Sequence, residues 1–443
     1  MSADLQKRFK ELAVGERVYV GRVPSQNDLC ALFTVRAVHL YLRSGGRIAF
    51  VLPMAALTRG QFERLRTGSF ASARIAWDEA WTMDDSVQPL FPVLSCVVFG
   101  RRRATSEPLP DKVRAYSGIL PFRNAPEAIA NKCLQVTKGA PALETAQHEG
   151  GSVYRTAFRQ GAILVPRMLC FVERKSSGRL GGDPSAPLVI SRRSAQEKAP
   201  WRNADAIENK VEAQFLRPAL LGESIGPFRI LRAFEAVVPA TDQGAILNAE
   251  AAANRGLSDL HGWLRKAEST WDRYNESSRT LTDQLNYINQ LSSQFPIAPL
   301  RVVYGASGTL PAAALIRDQR AVIEHKLYWM ATNSEAEGRY LIAILNSETA
   351  RKRGEQYQSR GQWGARDFDK VIFNLPIPRF DAKIGLHRDL GDAAAEAEKL
   401  AATAELPEAA KFQRARGLIR AALAEAGIAQ KIDALVATLL DGG

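Results

Sequence analysis

The pattern of apolar positions near the start of the chain predicts a long helix followed by a strand. Ser25-x-x-Asp28 resembles a capping box at the start of this helix, and the segment after it carries apolar residues on nearly every side. Such a helix is expected to be mostly buried. Gly45-Gly46 ends it, and the continuous apolar run Arg47–Pro53 is typical of a central parallel strand with both faces covered.

Two more apolar runs predict further strands, SARIAW at 72–77 and LSCVVFG at 94–100, with a polar loop between them that ends in PLFP. Together these elements resemble a βαβ sheet whose first half is missing. Three such strands alone would expose a wide apolar edge and face, which favours aggregation unless another segment covers them.

The pattern changes after a basic, proline-containing connector at 100–112. Short apolar runs punctuated by Gly, Arg and Pro then predict a mixed α+β region that extends to about residue 381, with helices at 257–291 and 339–353. The tail from residue 391 is rich in Ala and Glu, has a break at Pro407, and shows helical spacing at 412–423 and again at 428–440, so a helical hairpin packed on the body is expected.

Composition narrows the class of partner. The chain has 443 residues, is 46% hydrophobic and carries a formal net charge of +12, which suits a globular protein with a polyanionic partner such as nucleic acid. The alternative explanation of the positive charge is an Arg-rich composition that has no functional cause. The four cysteines form no Cys-x-x-Cys pair, so neither a metal site nor a disulfide framework is indicated, and a reduced, cytoplasmic location is expected. No apolar run approaches the roughly 18 residues of a membrane helix.

Three sequence blocks, taken in order, resemble a known family. They are NDLCALFTVRAVHLYLRSGGRIAFVLP, QPLFPVLSCVVFG, and YLIAILNS with FNLPIPRF. They are similar to the later motifs of adenine-specific DNA methyltransferases, the TaqI-like and Eco57I-like enzymes of restriction-modification systems. The resemblance extends from about residue 25 to residue 380.

This resemblance implies an α/β fold class: a partial Rossmann-like methyltransferase sheet at 1–110, an α+β target-recognition domain for double-stranded DNA at 111–383, and a helical tail at 384–443. It also implies S-adenosylmethionine as methyl donor and a target adenine that is turned out of the duplex, because its amine is otherwise paired inside.

The family's glycine-rich cofactor loop and catalytic Asn-Pro-Pro-aromatic motif should precede the first helix, and no Asn-Pro-Pro occurs anywhere in this sequence. No catalytic residue is therefore assigned. The expectation is the C-terminal portion of such an enzyme, with the cofactor-binding half encoded upstream or supplied by another polypeptide. The alternatives are a non-catalytic DNA-binding specificity subunit and a degenerate product without activity.

Two aromatic residues match functional positions of the family. Phe33 corresponds to the residue that packs against the adenine of the cofactor, and Phe91 corresponds to the aromatic that stacks on the flipped base. The alternative for Phe33 is a core aromatic on a buried helix. The alternative for Phe91 is a loop residue that plugs the end of a strand pair.

Two clusters of Arg, Lys and Trp are candidates for phosphate contact, since Arg binds phosphate bidentately and Trp supplies a flat apolar face. Solvated loop charge is the alternative for any one of these residues. The first cluster contains Arg192, Arg193, Lys198, Trp201 and Arg202, and the second contains Arg351, Arg353, Arg360, Trp363 and Arg366.

Overall fold

Helices and small sheets alternate along the chain, and the mixed α/β class expected from the sequence is confirmed. One compact unit comprises Met1–Glu149 with Ser359–Arg366, and the other comprises Gly150–Gln358 with Asp367–Gly443. The boundaries at 110 and 383 concern the roles of the segments and stay predictions. The structure is a computed structural model that describes residues 3–19, 29–58, 60–83, 87, 95–141, 151–175, 182–194, 197–307, 311–355, 360–361, 364–365, 370–407 and 410–442.

The first unit is built around a five-stranded sheet. Its strand order is β1-β3-β2-β4-β5, in which β2 and β4 run parallel and the other neighbours run antiparallel. The elements are α1 (Ala3–Gly15), α2 (Cys30–Tyr41), β1 (Arg47–Pro53), α3 (Ala55–Thr58), α4 (Glu63–Thr67), β2 (Ile75–Met83), β3 (Ser95–Arg102), β4 (Lys112–Gly118), α5 (Glu127–Cys133) and β5 (Leu134–Pro141).

The prediction that β1 is a central parallel strand is wrong. Among the described strands β1 pairs with β3 alone, antiparallel, with Ile48 opposite Gly100. Ile48 and Leu52 are buried, whereas Val51 is 51% exposed. This continuous apolar run therefore forms a strand with one buried face and one exposed apolar face. Composition alone does not distinguish such a strand from one that is covered on both faces.

Helix α2 is less buried than its composition suggests. Phe33 is 62% exposed and Tyr41 is 83% exposed, and Leu40 is also exposed. The capping box predicted at Ser25 and Asp28 lies outside the described residues. The buried side of the helix consists of Ala31, Leu32, Thr34, Val35 and Val38.

The turn after α4 shows why this part of the core needs glycine. Gly68 ends the helix with a φ of +67°, in the left-handed region that favours glycine. A Cβ at this position would lie 2.2 Å from the carbonyl oxygen of Ile75. Nearby, the indole nitrogen of the buried Trp77 donates to the carbonyl oxygen of Leu65 at 2.8 Å, which fixes α4 against β2.

The second unit contains several small sheets packed against helices. Its larger sheets have the strand orders β15-β14-β17-β6, β13-β10-β16 and β7-β8-β9. A short hairpin that follows α11 (Glu348–Glu355) along the chain, β18 (Arg360–Gly361) with β19 (Gly364–Ala365), belongs to the first unit.

The strands of the second unit are short, and its two longest helices are α12 (Gly385–Thr403) and α8 (Ser258–Tyr274). Its elements are α6 (Tyr154–Ala157), β6 (Arg159–Gln160), β7 (Val172–Arg174), β8 (Leu188–Ser191), β9 (Glu208–Lys210), β10 (Leu216–Leu220), β11 (Ile225–Gly226), β12 (Arg229–Ile230), β13 (Phe234–Val237), α7 (Ala249–Asn254), α8 (Ser258–Tyr274), α9 (Leu281–Leu285), β14 (Arg301–Gly305), β15 (Ala313–Ile316), β16 (Val322–Ile323), β17 (Leu327–Ala331), α10 (Glu335–Asn346), α11 (Glu348–Glu355), α12 (Gly385–Thr403), α13 (Phe412–Glu425) and α14 (Ile428–Asp441).

The C-terminal tail forms three helices, α12 to α14, where the sequence predicted a hairpin of two. The predicted helix at 339–353 is likewise two helices, separated at Ser347, whose backbone is extended. The carboxylate of Asp433 on α14 accepts a hydrogen bond from the Ser347 hydroxyl at 2.7 Å and from the Thr349 backbone N–H at 3.0 Å. Asp433 thereby accepts a hydrogen bond from a backbone N–H in the first turn of α11 and holds α14 against that helix.

Candidate nucleic-acid interface

Phe33 lies on the exposed side of α2, in the first unit. Its ring centroid is 5.4 Å from that of Phe50 on β1, with the ring planes inclined by 51°. Because 62% of Phe33 is exposed, the interpretation of this residue as a core aromatic is wrong. The predicted contact of Phe33 with a cofactor stays a prediction.

Part of the predicted interface lies outside the described residues. Phe91, Trp363 and Arg366 lie outside them, and for Arg360 only the backbone, in β18, is described. Their predicted roles stay predictions.

Arg192 follows β8 and lies beside an aromatic residue of β13. Its guanidinium carbon is 4.5 Å from the ring centroid of Phe234, and that of Arg232 is 4.7 Å from the same centroid. Phe234 is buried, so the two cations cover its ring, an arrangement that stabilises them without removing their charge. Arg192 also pairs with Glu173 at 3.4 Å and Arg232 pairs with Glu223.

The two arginines keep much of their side-chain surface in solvent: 39% for Arg192 and 54% for Arg232. Arg232 and Phe234 were missed from the sequence. Phe234 is the first residue of β13 and Arg232 lies just before it, about 40 residues further along the chain than Arg192. Only the folding of β13 beside the segment after β8 brings the three side chains together. We call Arg192, Arg232 and Phe234 the arginine–phenylalanine cluster.

The remaining residues around Trp201 make mostly internal contacts. The guanidinium of Arg193 donates to the carbonyl oxygens of Arg202 and Ala204, both at 2.5 Å. The Nε of Arg202 donates to the Glu197 carbonyl oxygen at 2.9 Å, and Lys198 is exposed.

The indole ring of Trp201 is packed against the protein. Its centroid lies 5.6 Å from that of Trp271, with planes inclined by 24°, and 5.7 Å from that of Tyr274. One face of this ring is therefore already covered, and its packing links the loop to α8.

Arg351 and Arg353 lie on α11 and are held in ion pairs. Arg351 pairs with Glu348 at 2.6 Å and with Glu355 at 3.5 Å, and Arg353 pairs with Asp441 at 2.6 Å. The hydrogen bond between Arg351 and Glu348 raises the pKa of the arginine and lowers the pKa of the glutamate. Arg351 is 18% exposed, so much of its charge is compensated within the helix.

The structure gives no ready metal site and no membrane segment in the residues it describes. Across these residues, no group of three or more His, Cys, Asp and Glu side chains converges in a way that could hold a metal ion. None of the described helices is both long and apolar enough to span a bilayer.

The fold is shared with a known restriction-modification enzyme. The chain superposes on the Type IIL restriction-modification enzyme MmeI in complex with DNA with a TM-score of 0.55 and 12% identity, covering 98% of this chain and 52% of that one. The chain thus spans about half the length of that enzyme. No protein-family model and no curated protein sequence matches.

Two further structures overlap more weakly. The type IIG restriction endonuclease BpuSI gives a TM-score of 0.28 at 12% identity, over 100% of this chain and 53% of that one. The DrdV–DNA complex gives 0.40 at 10% identity, over 93% and 44%. These two overlaps are too weak to define a shared fold.

Proposed function

We propose that this protein is the DNA-binding, C-terminal portion of an adenine-specific DNA methyltransferase of a restriction-modification system. The observation that carries the proposal is the similarity to MmeI over 98% of the chain, because that structure is of a restriction-modification enzyme with DNA. The net charge of +12 supports a polyanionic partner. A cytoplasmic location is part of the proposal.

The arginine–phenylalanine cluster is the DNA contact that we propose first. Phosphate oxygens accept hydrogen bonds from arginine bidentately, and an arginine seated on an aromatic ring loses less side-chain freedom when it binds. Arg232, Lys198 and Arg202 supply exposed cations in this unit, and Arg192 is partly exposed. Arg351 is a weaker candidate because only 18% of its side chain is exposed, whereas 39% of Arg192 and 54% of Arg232 is exposed.

The first unit would contribute to methyl transfer. S-adenosylmethionine supplies the methyl group when it is bound, and the exposed ring of Phe33 fits the predicted contact with its adenine. Phe91 would stack on the extruded target adenine, which orients its amine and keeps the base out of the duplex. The group that accepts hydrogen bonds from the amine, the Asn-Pro-Pro-aromatic motif, would be supplied by an upstream half or by a partner chain.

A non-catalytic specificity subunit is the second candidate. One observation favours it: the sequence contains no Asn-Pro-Pro motif. Such a subunit would bind DNA with the same surfaces but would direct another enzyme to its site.

A paired experiment separates the two functions. Binding of the full chain to duplex DNA is measured across a salt series, and incorporation of labelled methyl groups is measured with the chain alone and with a co-expressed polypeptide carrying the cofactor loop and Asn-Pro-Pro motif. Salt-sensitive DNA binding with methylation upon addition of that polypeptide is expected. DNA binding without methylation favours the specificity subunit, and no DNA binding at low salt contradicts both.

A further inference from the structure

An isoleucine in a strained backbone conformation lies at the surface of the second unit. Ile288 follows α9, and its backbone has a φ of 46° and a ψ of 35°, in the left-handed region that residues branched at Cβ rarely occupy. The residue is 71% exposed, so little packing compensates for this conformation. Strain of this kind persists only where the surrounding structure fixes it, and it is concentrated at functional sites.

The chain on both sides of Ile288 is anchored in the interior. Leu285, the last residue of α9, is 3% exposed, and Leu291 is fully buried. Gln290 is also buried, and its side-chain amide donates to the Oε1 of Gln160 on β6 at 3.3 Å. The short segment between these anchors therefore has little freedom to withdraw Ile288 from solvent.

Hydrogen bonds within the turn fix its shape. The side-chain oxygen of Asn286 accepts from the backbone N–H of Ser292 at 2.9 Å, and the backbone N–H of Asn289 donates to the Asn286 carbonyl oxygen at 3.0 Å. Asn289 also has a positive φ, of 62°, which asparagine adopts more readily than isoleucine does. Among the described residues between Leu188 and Ile384, Ile288 is the one large hydrophobic residue that is exposed.

A positive charge lies beside this turn. The guanidinium carbon of Arg279 is 4.3 Å from the ring centroid of Tyr287, and Arg279 is exposed. Its Nη1 donates to the Oε1 of Gln284 at 3.5 Å, which is a neutral acceptor. The carboxylate of Asp283, in the first turn of α9, is already engaged, since it accepts from the Thr280 hydroxyl at 2.8 Å. The charge of Arg279 is therefore available to an external anion.

An exposed aliphatic side chain next to a cation suits double-stranded DNA, which has apolar base faces inside and phosphates outside. Isoleucine is one of the side chains that proteins insert between base steps, where it partly unstacks the bases and kinks the duplex. A protein partner or a second copy of this chain fits less well. A stable protein interface buries about 1,200–2,000 Å², far more than one aliphatic side chain offers.

We propose that Ile288 is a wedge that enters double-stranded DNA between two adjacent base pairs, while Arg279 contacts a neighbouring phosphate. This inference rests on the proposed DNA-binding function and adds to it a local distortion of the duplex. The side chain of Ile288 is branched at Cβ and has few rotamers, so it loses little conformational freedom on insertion. The contacts that the kinked duplex makes with the protein offset the free energy of unstacking.

The test compares two duplexes of the same sequence, one intact and one with a single-nucleotide gap at which stacking is already interrupted. Binding of the full chain to each is measured by fluorescence anisotropy. The wild-type chain is expected to bind the gapped duplex at least about 5-fold more tightly, because less unstacking is needed there. Ile288→Asn keeps a residue that suits the left-handed backbone but removes the wedge, and it should abolish this preference.

Three further variants serve as controls. Ile288→Leu keeps an aliphatic side chain and should keep the preference. Ile384→Asn replaces another exposed isoleucine of the same unit, which is 45% exposed, and should leave the preference unchanged. Arg279→Gln should weaken binding to both duplexes and reduce the slope of log affinity against log salt by about 1, with the preference intact. Thermal melting of Ile288→Asn should occur no lower than that of the wild-type chain, because the substitution relieves strain.

Loss of the preference in Ile288→Asn, at an unchanged or higher melting temperature, supports the wedge. Salt-sensitive duplex binding without any preference in the wild-type chain, or with a preference that Ile288→Asn retains, overturns the wedge and leaves the proposed DNA function standing. A clearly lower melting temperature of Ile288→Asn would also overturn it, since Ile288 would then be a packing residue. Absence of duplex binding at low salt contradicts the proposed function and the wedge together. Self-association of the wild-type chain that Ile288→Asn abolishes would assign the side chain to a contact between copies instead of to DNA.

Discussion

The guanidinium carbon of Arg192 lies 4.5 Å from the ring centroid of Phe234, a buried residue on a different strand. The contact supports a positive charge at the protein surface, where Arg192 also pairs with Glu173 at 3.4 Å. Arg232 approaches the same ring at 4.7 Å, so a single aromatic side chain supports two cations. Arg351 differs in exposure: it pairs with two glutamates of its own helix and only 18% of its side chain is exposed, whereas 39% of the Arg192 side chain is exposed.

Replacing Arg192 tests whether this cluster contacts DNA. For Arg192→Gln we expect weaker duplex binding and a slope of log affinity against log salt that is smaller by about 1, because one phosphate contact is lost. Fluorescence anisotropy of a labelled duplex across a salt series measures both quantities. Arg265→Gln removes the same charge from another exposed position and should leave the slope nearly unchanged. Equal effects of the two substitutions would show that only net charge matters.

Replacing Phe91 tests base stacking, with the cofactor-binding half supplied upstream or by a partner chain. Phe91→Ala should lower the methylation rate roughly 5- to 150-fold, since base–aromatic stacking contributes about 1–3 kcal/mol. DNA binding should change little, and Phe91→Trp should retain most activity because it keeps a flat ring. Methylation rate and thermal melting are measured on the same variants. A well-folded Phe91→Ala protein with an unchanged rate would rule out the stack.

Replacing Gly68 tests the turn that joins α4 to β2. Gly68→Ala should destabilise the first unit by more than about 1 kcal/mol, because alanine disfavours the left-handed backbone. Its Cβ would also meet the Ile75 carbonyl oxygen at 2.2 Å. Gly15→Ala is the control, since among the described residues no atom outside its own helix backbone and chain neighbours lies within 4 Å of a Cβ there. Thermal melting followed by circular dichroism compares the two, and similar melting temperatures would contradict this account of the turn.

We expect His387 to make the stability of the second unit depend on pH. Burial lowers the pKa of this residue below its ordinary value of 6.5, and its Nδ1 accepts a hydrogen bond from the Asp381 backbone N–H at 3.0 Å. The folded state therefore binds the proton less readily than the unfolded state. The stability is fully present above the unfolded pKa and is lost as the pH falls toward the lower folded pKa.

The measurement is the change in melting temperature between about pH 7.5 and pH 5.5, a window that spans the ordinary histidine pKa. This change should be smaller in His387→Gln than in the wild-type chain, because glutamine does not titrate. His261→Gln, in the same unit, controls for the loss of a histidine as such. An identical pH dependence in the wild-type and His387→Gln chains would assign the effect to other groups.

Local patterns predicted several elements of this fold. The apolar runs at 47–53 and 94–100 correspond to β1 and β3, the run at 72–77 overlaps only the first three residues of β2, and the helical spacing of the tail corresponds to helices. The breaks between consecutive helices were predicted less well. Ser347 separates α10 from α11 although the sequence around it has a continuous helical pattern, because its hydroxyl and the next turn are bonded by Asp433 from a distant helix.

The sequence by itself determined the α/β class, the positive charge and which segments are apolar enough to be strands or helices. These depend on the periodicity and chemistry of neighbouring residues, which are local properties. The direction and exposure of β1, the exposure of Phe33 and the contact of Arg192 with Phe234 were decided by tertiary structure alone. Each depends on which remote segment lies opposite, and strand pairing and side-chain packing fix that choice through contacts that no local pattern encodes.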